Sequence, residues 1–298
     1  VEQIHLKCAA LVSGCSSGIG LAAALALVRE GYCVWAGVRR TESLKELQTL
    51  RDNPEQVPAA ARDMFRPILL DVTVPESVSA VMEEIERAQI PLRLVVNNAG
   101  YGQFGALEDV TEEEFRRQWE VNVAGLWRVT RRALPLLRAS GPGGTIINIS
   151  SILGKVAFPF GGPYAAGKFA VEALSDSLRQ EVAPWGIRVV VIQPGPIATR
   201  FNENAMAAVN FQQFTQSPYA PVYKTLEAYY TREHRWGELP PEAVAKRIVQ
   251  VASAKRPRTR YLVTFPAKLL ATIRWFMPDR FLDWMVASYL GVGKSPRR

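Results

Sequence analysis

The chain has 298 residues, 48% of them hydrophobic, enough to bury a substantial core in one large α/β domain. Its only histidines, His5 and His234, and three cysteines, Cys8, Cys15 and Cys33, stand at no metal-ligand spacing, so serine–histidine hydrolase and zinc readings drop out. The net charge of +8 belongs to the tail: residues 1–254 hold 26 basic and 26 acidic residues and residues 255–298 hold 10 and 2, and with no zinc finger or ribonucleoprotein motif present, nucleic acid is not an expected partner.

Near the start, "CAALV" before Ser13 and Gly14 is too short for a signal-peptide core, and no later stretch nears the ~20 apolar residues of a membrane span. Cysteines in apolar runs suit a reducing compartment, so a cytoplasmic location is expected. Seven short β-branched runs follow in chain order: "CAALVS", "YCVWAGV", "RPILLDV", "LRLVVNN", "GTIINIS", "IRVVVIQ" and "RYLVT". Helical periodicity separates them at Leu21–Arg29, Ser77–Ala88, Glu112–Leu137 and Pro163–Val182. Strand and helix in alternation predict a doubly wound, parallel seven-stranded sheet with helices on both faces. Ligands of such sheets bind beyond the carboxyl ends of the strands.

The first strand runs through "SGCSSGIG" into a helix, which puts Gly14, Gly18 and Gly20, with Ser16, Ser17 and Ile19, where a backbone can approach a pyrophosphate. The second ends "AGVRR". No acid follows to accept from a ribose 2′-hydroxyl, whereas Gly37 leaves room and Arg39 and Arg40 offer planar cations suited to a 2′-phosphate. Farther on, "GGPYAAGKF" opens a helix at Pro163 and sets Tyr164 and Lys168 four residues apart, on one face. A surface tyrosine before a solvated lysine is the plain reading; a tyrosine tuned by a cation is the chemical one.

Gly14, Gly18 and Gly20, "NNAG" at 97–100, Asn122, "ISS" at 149–151, Tyr164 with Lys168, and "PGPIAT" at 194–199 together resemble the short-chain dehydrogenase/reductase superfamily over residues 7–265. Within it the chain is similar to hydroxysteroid and retinol dehydrogenases and bacterial lipid-ketone reductases. The resemblance implies an NADP(H)-dependent enzyme interconverting a hydrophobic secondary alcohol and its ketone. Tyr164 would be the general acid or base, Lys168 would hold the nicotinamide ribose and lower the tyrosine pKa, Ser151 would position the substrate oxygen, and Asn122 would support a relay water. Asp71 and Val72 resemble adenine contacts, Asn98, Ala99 and Gly100 a wall beside the cofactor, and Pro194, Gly195, Ile197 and Thr199 the nicotinamide side. No metal is required. Ser13 stands where the family usually has threonine, and Gly167 where it often has serine.

Residues 200–240 follow as a lid segment with Phe201, Met206, Phe211, Phe214, Tyr219, Tyr223, Tyr229 and Tyr230, whose rings favour an apolar substrate. The helices at 112–137 and 163–182 resemble the family's dimer-forming pair, so a homodimer or homotetramer is expected. Residues 1–265 are read as one catalytic domain and 266–298 as a basic amphipathic extension packed on it, split by Pro278, with contact to an anionic membrane as one expectation and cover for the pocket or a second subunit as the other. A non-catalytic cofactor-binding sensor or membrane-peripheral scaffold of the same fold is the alternative function.

Overall fold

A computed structural model describes residues 8–201, 203, 205, 216–223 and 236–290. Seven parallel strands form one sheet in the order β3-β2-β1-β4-β5-β6-β7: β1 Cys8–Ser13, β2 Tyr32–Val38, β3 Phe65–Leu69, β4 Leu92–Asn97, β5 Thr145–Ile149, β6 Arg188–Gln193 and β7 Arg260–Leu262. The chain order reverses between β1 and β4, so the connections leaving these two strands run to opposite sides and make the switch point whose crevice binds ligands in such sheets. All seven expected runs are strands. β1 and β2 match in full, β4, β5 and β6 lose a residue at one or both ends, β3 stops at Leu69, so Leu70–Val72 belongs to the turn that leaves the sheet, and β7 has three residues.

Each strand is apolar on both sides because both sheet faces are covered. On one, Ala10, Val12, Val34, Ala36, Val96, Ile147 and Ile192 pack under α1 (Gly18–Arg29), α2 (Thr41–Asp52) and a helix near the end of the chain, Pro241–Ser253. On the other, Ala9, Leu11, Trp35, Val95, Ile146 and Val189 meet α3 (Pro75–Arg87) and α5 (Gly125–Ala139). Between α1 and Pro241–Ser253 lie α4 (Glu112–Trp119), α5 and α6 (Gly162–Glu181), so that later helix is α7. The last two helices are α8 (Phe265–Phe276) and α9 (Asp279–Leu290), separated at Pro278 as expected.

The single helix expected over 112–137 is interrupted. A capping box starts α4, in which Thr111 accepts from the Glu114 N–H and the Glu114 carboxyl accepts from Thr111 N–H, but Glu120–Ala124 is a π-turn before α5 resumes. Such turns re-aim one side chain, here Asn122, and they concentrate at functional sites.

Polar bonds align these helices with the strand ends. Asn97 on β4 donates to Thr130 Oγ1 on α5 and to Asn148 Oδ1 on β5, both at 2.9 Å, and Asn148 donates to Ser175 Oγ on α6 at 2.8 Å. Gly167 on α6 faces the π-turn, where an added Cβ would meet Val123 Cγ2 at 3.6 Å, an ordinary contact. Nothing in the structure requires glycine there, although it costs about 1 kcal/mol against alanine in a helix.

Candidate active site

Ser13 ends β1 as a brace. Its Oγ accepts from the backbone N–H groups of Asn98 and Ala99 at 3.1 Å each, the bonding its hydroxyl shares with the threonine usual there. The Asn98 amide answers by donating to the carbonyls of Ser13 and Gly14 at 3.0 Å. The crevice between β1 and β4 is thus stitched from both sides, with Gly100 beyond it against Asn122.

The glycine loop fits a dinucleotide pyrophosphate on three observations. Gly14 and Gly18 have φ of 74° and 59°, in the left-handed region that favours glycine. A Cβ on Gly20 would stand 2.1 Å from the Gly14 carbonyl oxygen, so the loop can fold back only without one. Ser17 enters α1 with no side-chain cap, which leaves the first-turn N–H groups of the helix for an anion. Across the crevice, a Cβ on Gly18 would touch Thr199 Cγ2 at 3.0 Å, so the loop and the segment after β6 form opposite walls.

Gly37 corrects an expectation. It lies inside β2, and an added Cβ would meet Leu70 Cδ2 at 2.7 Å and the Val12 carbonyl oxygen at 3.2 Å. Glycine is set there by packing against Leu70 and provides no room for a phosphate. Arg39 and Arg40, just past the strand, are exposed beside the crevice. Asp71 holds the next turn by accepting from Thr73 N–H at 2.9 Å and Thr73 Oγ1 at 2.6 Å, and buried Val72 is clamped by Arg128, which donates to its carbonyl at 2.6 Å and pairs with Glu120 at 2.7 Å.

Tyr164 and Lys168 are both buried on α6. Lys168 Nζ donates to the Ile149 carbonyl at 2.8 Å and lies 5.6 Å from the centre of the Tyr164 ring. Burial lowers the Lys168 pKa to about 8, and the Glu172 carboxyl opposes that fall. For Tyr164 the expected direction is reversed. Burial pushes the phenol up, and a hydrogen bond with Ser151 pulls only partly back, because removing water penalises the anion more than one neutral hydroxyl favours it. The two serines also separate: Ser151 Oγ accepts from Leu153 N–H at 3.1 Å and reaches Tyr164, while Ser150 is buried under Gly154, whose Cβ would stand 2.7 Å from Ser150 Oγ.

The Asn122 side chain is tied to the Tyr101 backbone, donating to its carbonyl at 2.8 Å and accepting from its N–H at 3.1 Å. Pro194 and Gly195 follow β6, and the start of α8 closes on them, since a Cβ on Gly195 would lie 2.2 Å from Thr264 Oγ1. Ile197 is buried.

Aromatic rings stand around Tyr164, with Phe201 at 5.4 Å and Phe104 at 6.0 Å between centroids. Phe160, Tyr219 and Tyr223 extend the cluster, and Tyr223 Oη donates to Asp109 at 2.6 Å while accepting from Ala106 N–H at 2.8 Å. Of the expected lid residues, Met206, Phe211, Phe214, Tyr229 and Tyr230 lie outside the described residues.

One buried group escaped the sequence. Glu172 stands four residues after Lys168 and accepts from Gln193 Nε2 at 2.8 Å and Arg260 Nε at 2.9 Å, with Lys155 at 3.8 Å; Arg260 also pairs with Asp176 at 2.6 Å, which pairs with Arg179 at 2.7 Å. The signal was the four-residue spacing continued from Tyr164 through Lys168 to Glu172. Phe104, Arg128 and Asp109 carry no such pattern. Among the described residues no group of three or more potential metal ligands gathers.

The model of the family described as short chain dehydrogenase matches residues 8–210. The chain is 34% identical over 279 residues to an NADPH-dependent 3-dehydrocapnine reductase of Ornithobacterium rhinotracheale, covering 92% of this chain and 94% of the relative. It is 32% identical over 286 residues to retinol dehydrogenase 5 of Mus musculus, covering 91% and 85%. A solved short-chain dehydrogenase from Streptomyces avermitilis superposes with a TM-score of 0.69 at 29% identity, over 99% of this chain and 100% of that one. On the family match over residues 8–210 and the relatives above 30% identity along nearly the whole chain, the chain belongs to the short-chain dehydrogenase family of oxidoreductases, which use nicotinamide cofactors.

Proposed function

We propose that this chain is an NADP(H)-dependent oxidoreductase that interconverts a hydrophobic secondary alcohol and its ketone. The observation that carries the reading is Tyr164, hydrogen-bonded to Ser151 and backed by Lys168, inside a shell of aromatic rings. The shell suits an apolar substrate, in keeping with the relative named for retinol. The dinucleotide, held by the glycine loop and the segment after β6, would supply the hydride for the carbonyl carbon when bound in its reduced form. Tyr164 gives its proton to the carbonyl oxygen, and the hydroxyls of Ser151 and Tyr164 stabilise that oxygen as charge develops. In the reverse direction Tyr164 takes the alcohol proton. Burial keeps the Tyr164 phenol protonated and so able to donate, at a cost in acidity, and the charge of the Lys168 ammonium nearby would steady the anion left behind. With the Asn122 amide committed to Tyr101, its backbone carbonyl on the π-turn is the group to hold a relay water.

The glycine loop (Gly14, Ser16, Ser17, Gly18, Ile19, Gly20), Asp71, Val72, Asn98–Gly100 and Pro194–Thr199 are proposed to line the dinucleotide. Arg39 and Arg40 would bind its 2′-phosphate. The proposed oligomer is a homodimer through α4, α5 and α6, whose outward faces leave Phe115, Trp119, Trp127 and Phe169 exposed. Sedimentation equilibrium that finds only monomer at micromolar concentration would exclude it.

Three substitutions test the site. Tyr164→Phe removes only the proton donor, so turnover should fall by about 100- to 10,000-fold while NADPH affinity holds; more than about half of wild-type activity would overturn the role.

Arg39→Ala removes a charge-assisted contact of roughly 1.5–3 kcal/mol, so NADPH binding should weaken by about 10- to 150-fold with NADH binding unchanged. Equal effects on both cofactors, measured by fluorescence titration, would overturn the phosphate assignment.

Glu172 is proposed as a positioning residue that keeps Lys168 charged. The Lys168 ammonium is lost as pH rises through about 8, and Glu172 raises that point, so Glu172→Gln should move the alkaline limb of the kcat/KM profile to lower pH. Arg260 retains Asp176 in the variant, and Glu172→Asp should restore the profile in part. An unshifted limb with a uniform fall in kcat would mark Glu172 as merely structural.

A further inference from the structure

The last two helices are amphipathic twice over. Their inner face packs on the segment leading to Tyr164: Leu282 and Val286 of α9 are buried against Val156, with Leu270, Ile273, Met285 and Phe158 around them. The opposite face of α8 is also apolar, yet nothing covers it among the described residues. Phe265, Leu269 and Phe276 follow one another at helical spacing along that face and are 63%, 43% and 74% exposed. Trp236 packs edge-on against Phe265 at 5.8 Å, extending the stripe at one end. At the other, around Pro278, Trp275 is 84% exposed, and Phe281 and Trp284 sit 5.7 Å apart, both facing water. A surface helix of a water-exposed domain keeps its outer face polar, and contiguous exposed aromatics mark an interaction site.

We infer that this face docks on the surface of an anionic lipid bilayer. Charge selects the occupant. Lys268 and Arg280 stand beside the stripe, Arg274 pairs with Asp279 at 2.8 Å, and residues 265–298 carry six basic and two acidic residues, of which Lys294, Arg297 and Arg298 lie outside the described residues. Two copies of a face this basic repel one another, whereas an anionic surface attracts each basic residue by about 1 kcal/mol. Tryptophan and phenylalanine beside arginine and lysine are the side chains of helices that lie in a lipid–water boundary. Among the described residues no helix is long and apolar enough to cross a membrane, so the contact is peripheral. The inner face of the same helices adjoins the segment between Ser151 and Tyr164 and the turn at Gly195, which sets the docking face beside the proposed substrate site. That last link rests on the proposed oxidoreductase reading; the docking itself does not.

The test is flotation of the full chain with vesicles of phosphatidylcholine alone or with phosphatidylglycerol, at low and high salt. The chain should float with the anionic vesicles at low salt, and be released as salt rises. Trp275→Ser with Phe276→Ser and Trp284→Ser should abolish flotation while circular dichroism is unchanged. Lys268→Glu with Arg280→Glu should weaken partition by at least about 30-fold, the equivalent of about 2 kcal/mol. No flotation at low salt, flotation undiminished in both variants, or a patch-dependent dimer by light scattering that ignores vesicles would each overturn the inference. Loss of catalysis by Tyr164→Phe leaves flotation untouched, so the two readings fail separately.

Discussion

Burying the ammonium of Lys168 is the constraint around which the catalytic end of the sheet is arranged. A lone cation in a protein interior is expensive unless it is bonded and balanced. Here the Ile149 carbonyl at the end of β5 accepts a hydrogen bond from it, and Glu172 lies one turn farther along α6. Glu172 in turn needs partners, and these come from β6 through Gln193 and from β7 through Arg260. The charge is thereby spread over one helix and three strand ends. Its burial still lowers the ammonium pKa to about 8, which keeps Lys168 close to the point where its charge is lost.

Apolar packing determines that the sheet forms, and polar bonds determine where its helices stop sliding. Both faces are covered by aliphatic and aromatic side chains that would tolerate small shifts of a helix along the strands. The chain of amides from Asn97 to Asn148 to Ser175, and the Ser13–Asn98 stitch, do not tolerate them, because each buried donor would lose its acceptor. Those bonds cluster at the carboxyl ends of β1, β4 and β5. The glycine loop, Asn122 and Tyr164 are therefore held in register by bonds made within the protein itself.

Much of this was legible in the residue order. The seven strands stand out because a strand covered on both faces reads as a short uninterrupted apolar run, and the helix start at Gly162 was announced by its glycines and Pro163. Helix α2 was not legible: only Ser43 and Leu47 are buried along it, too sparse a stripe for periodicity to register. The π-turn escaped for a different reason, since the apolar spacing of 112–137 runs through it almost unbroken and the extra residue is decided by the bonds of Asn122 and Gln118 to the loop at Tyr101–Gln103.

By itself the sequence determined the alternation of strand and helix, the glycine loop after β1, and the tyrosine and lysine on one helical face, because each depends on neighbours within a few residues. The tertiary structure alone decided that Gly37 answers to Leu70 and not to a phosphate, that the phenol is pushed up, and that Glu172 stands behind Lys168. Those outcomes depend on contacts between distant parts of the chain and on how far water is excluded from them. Neither quantity is carried by spacing along the sequence.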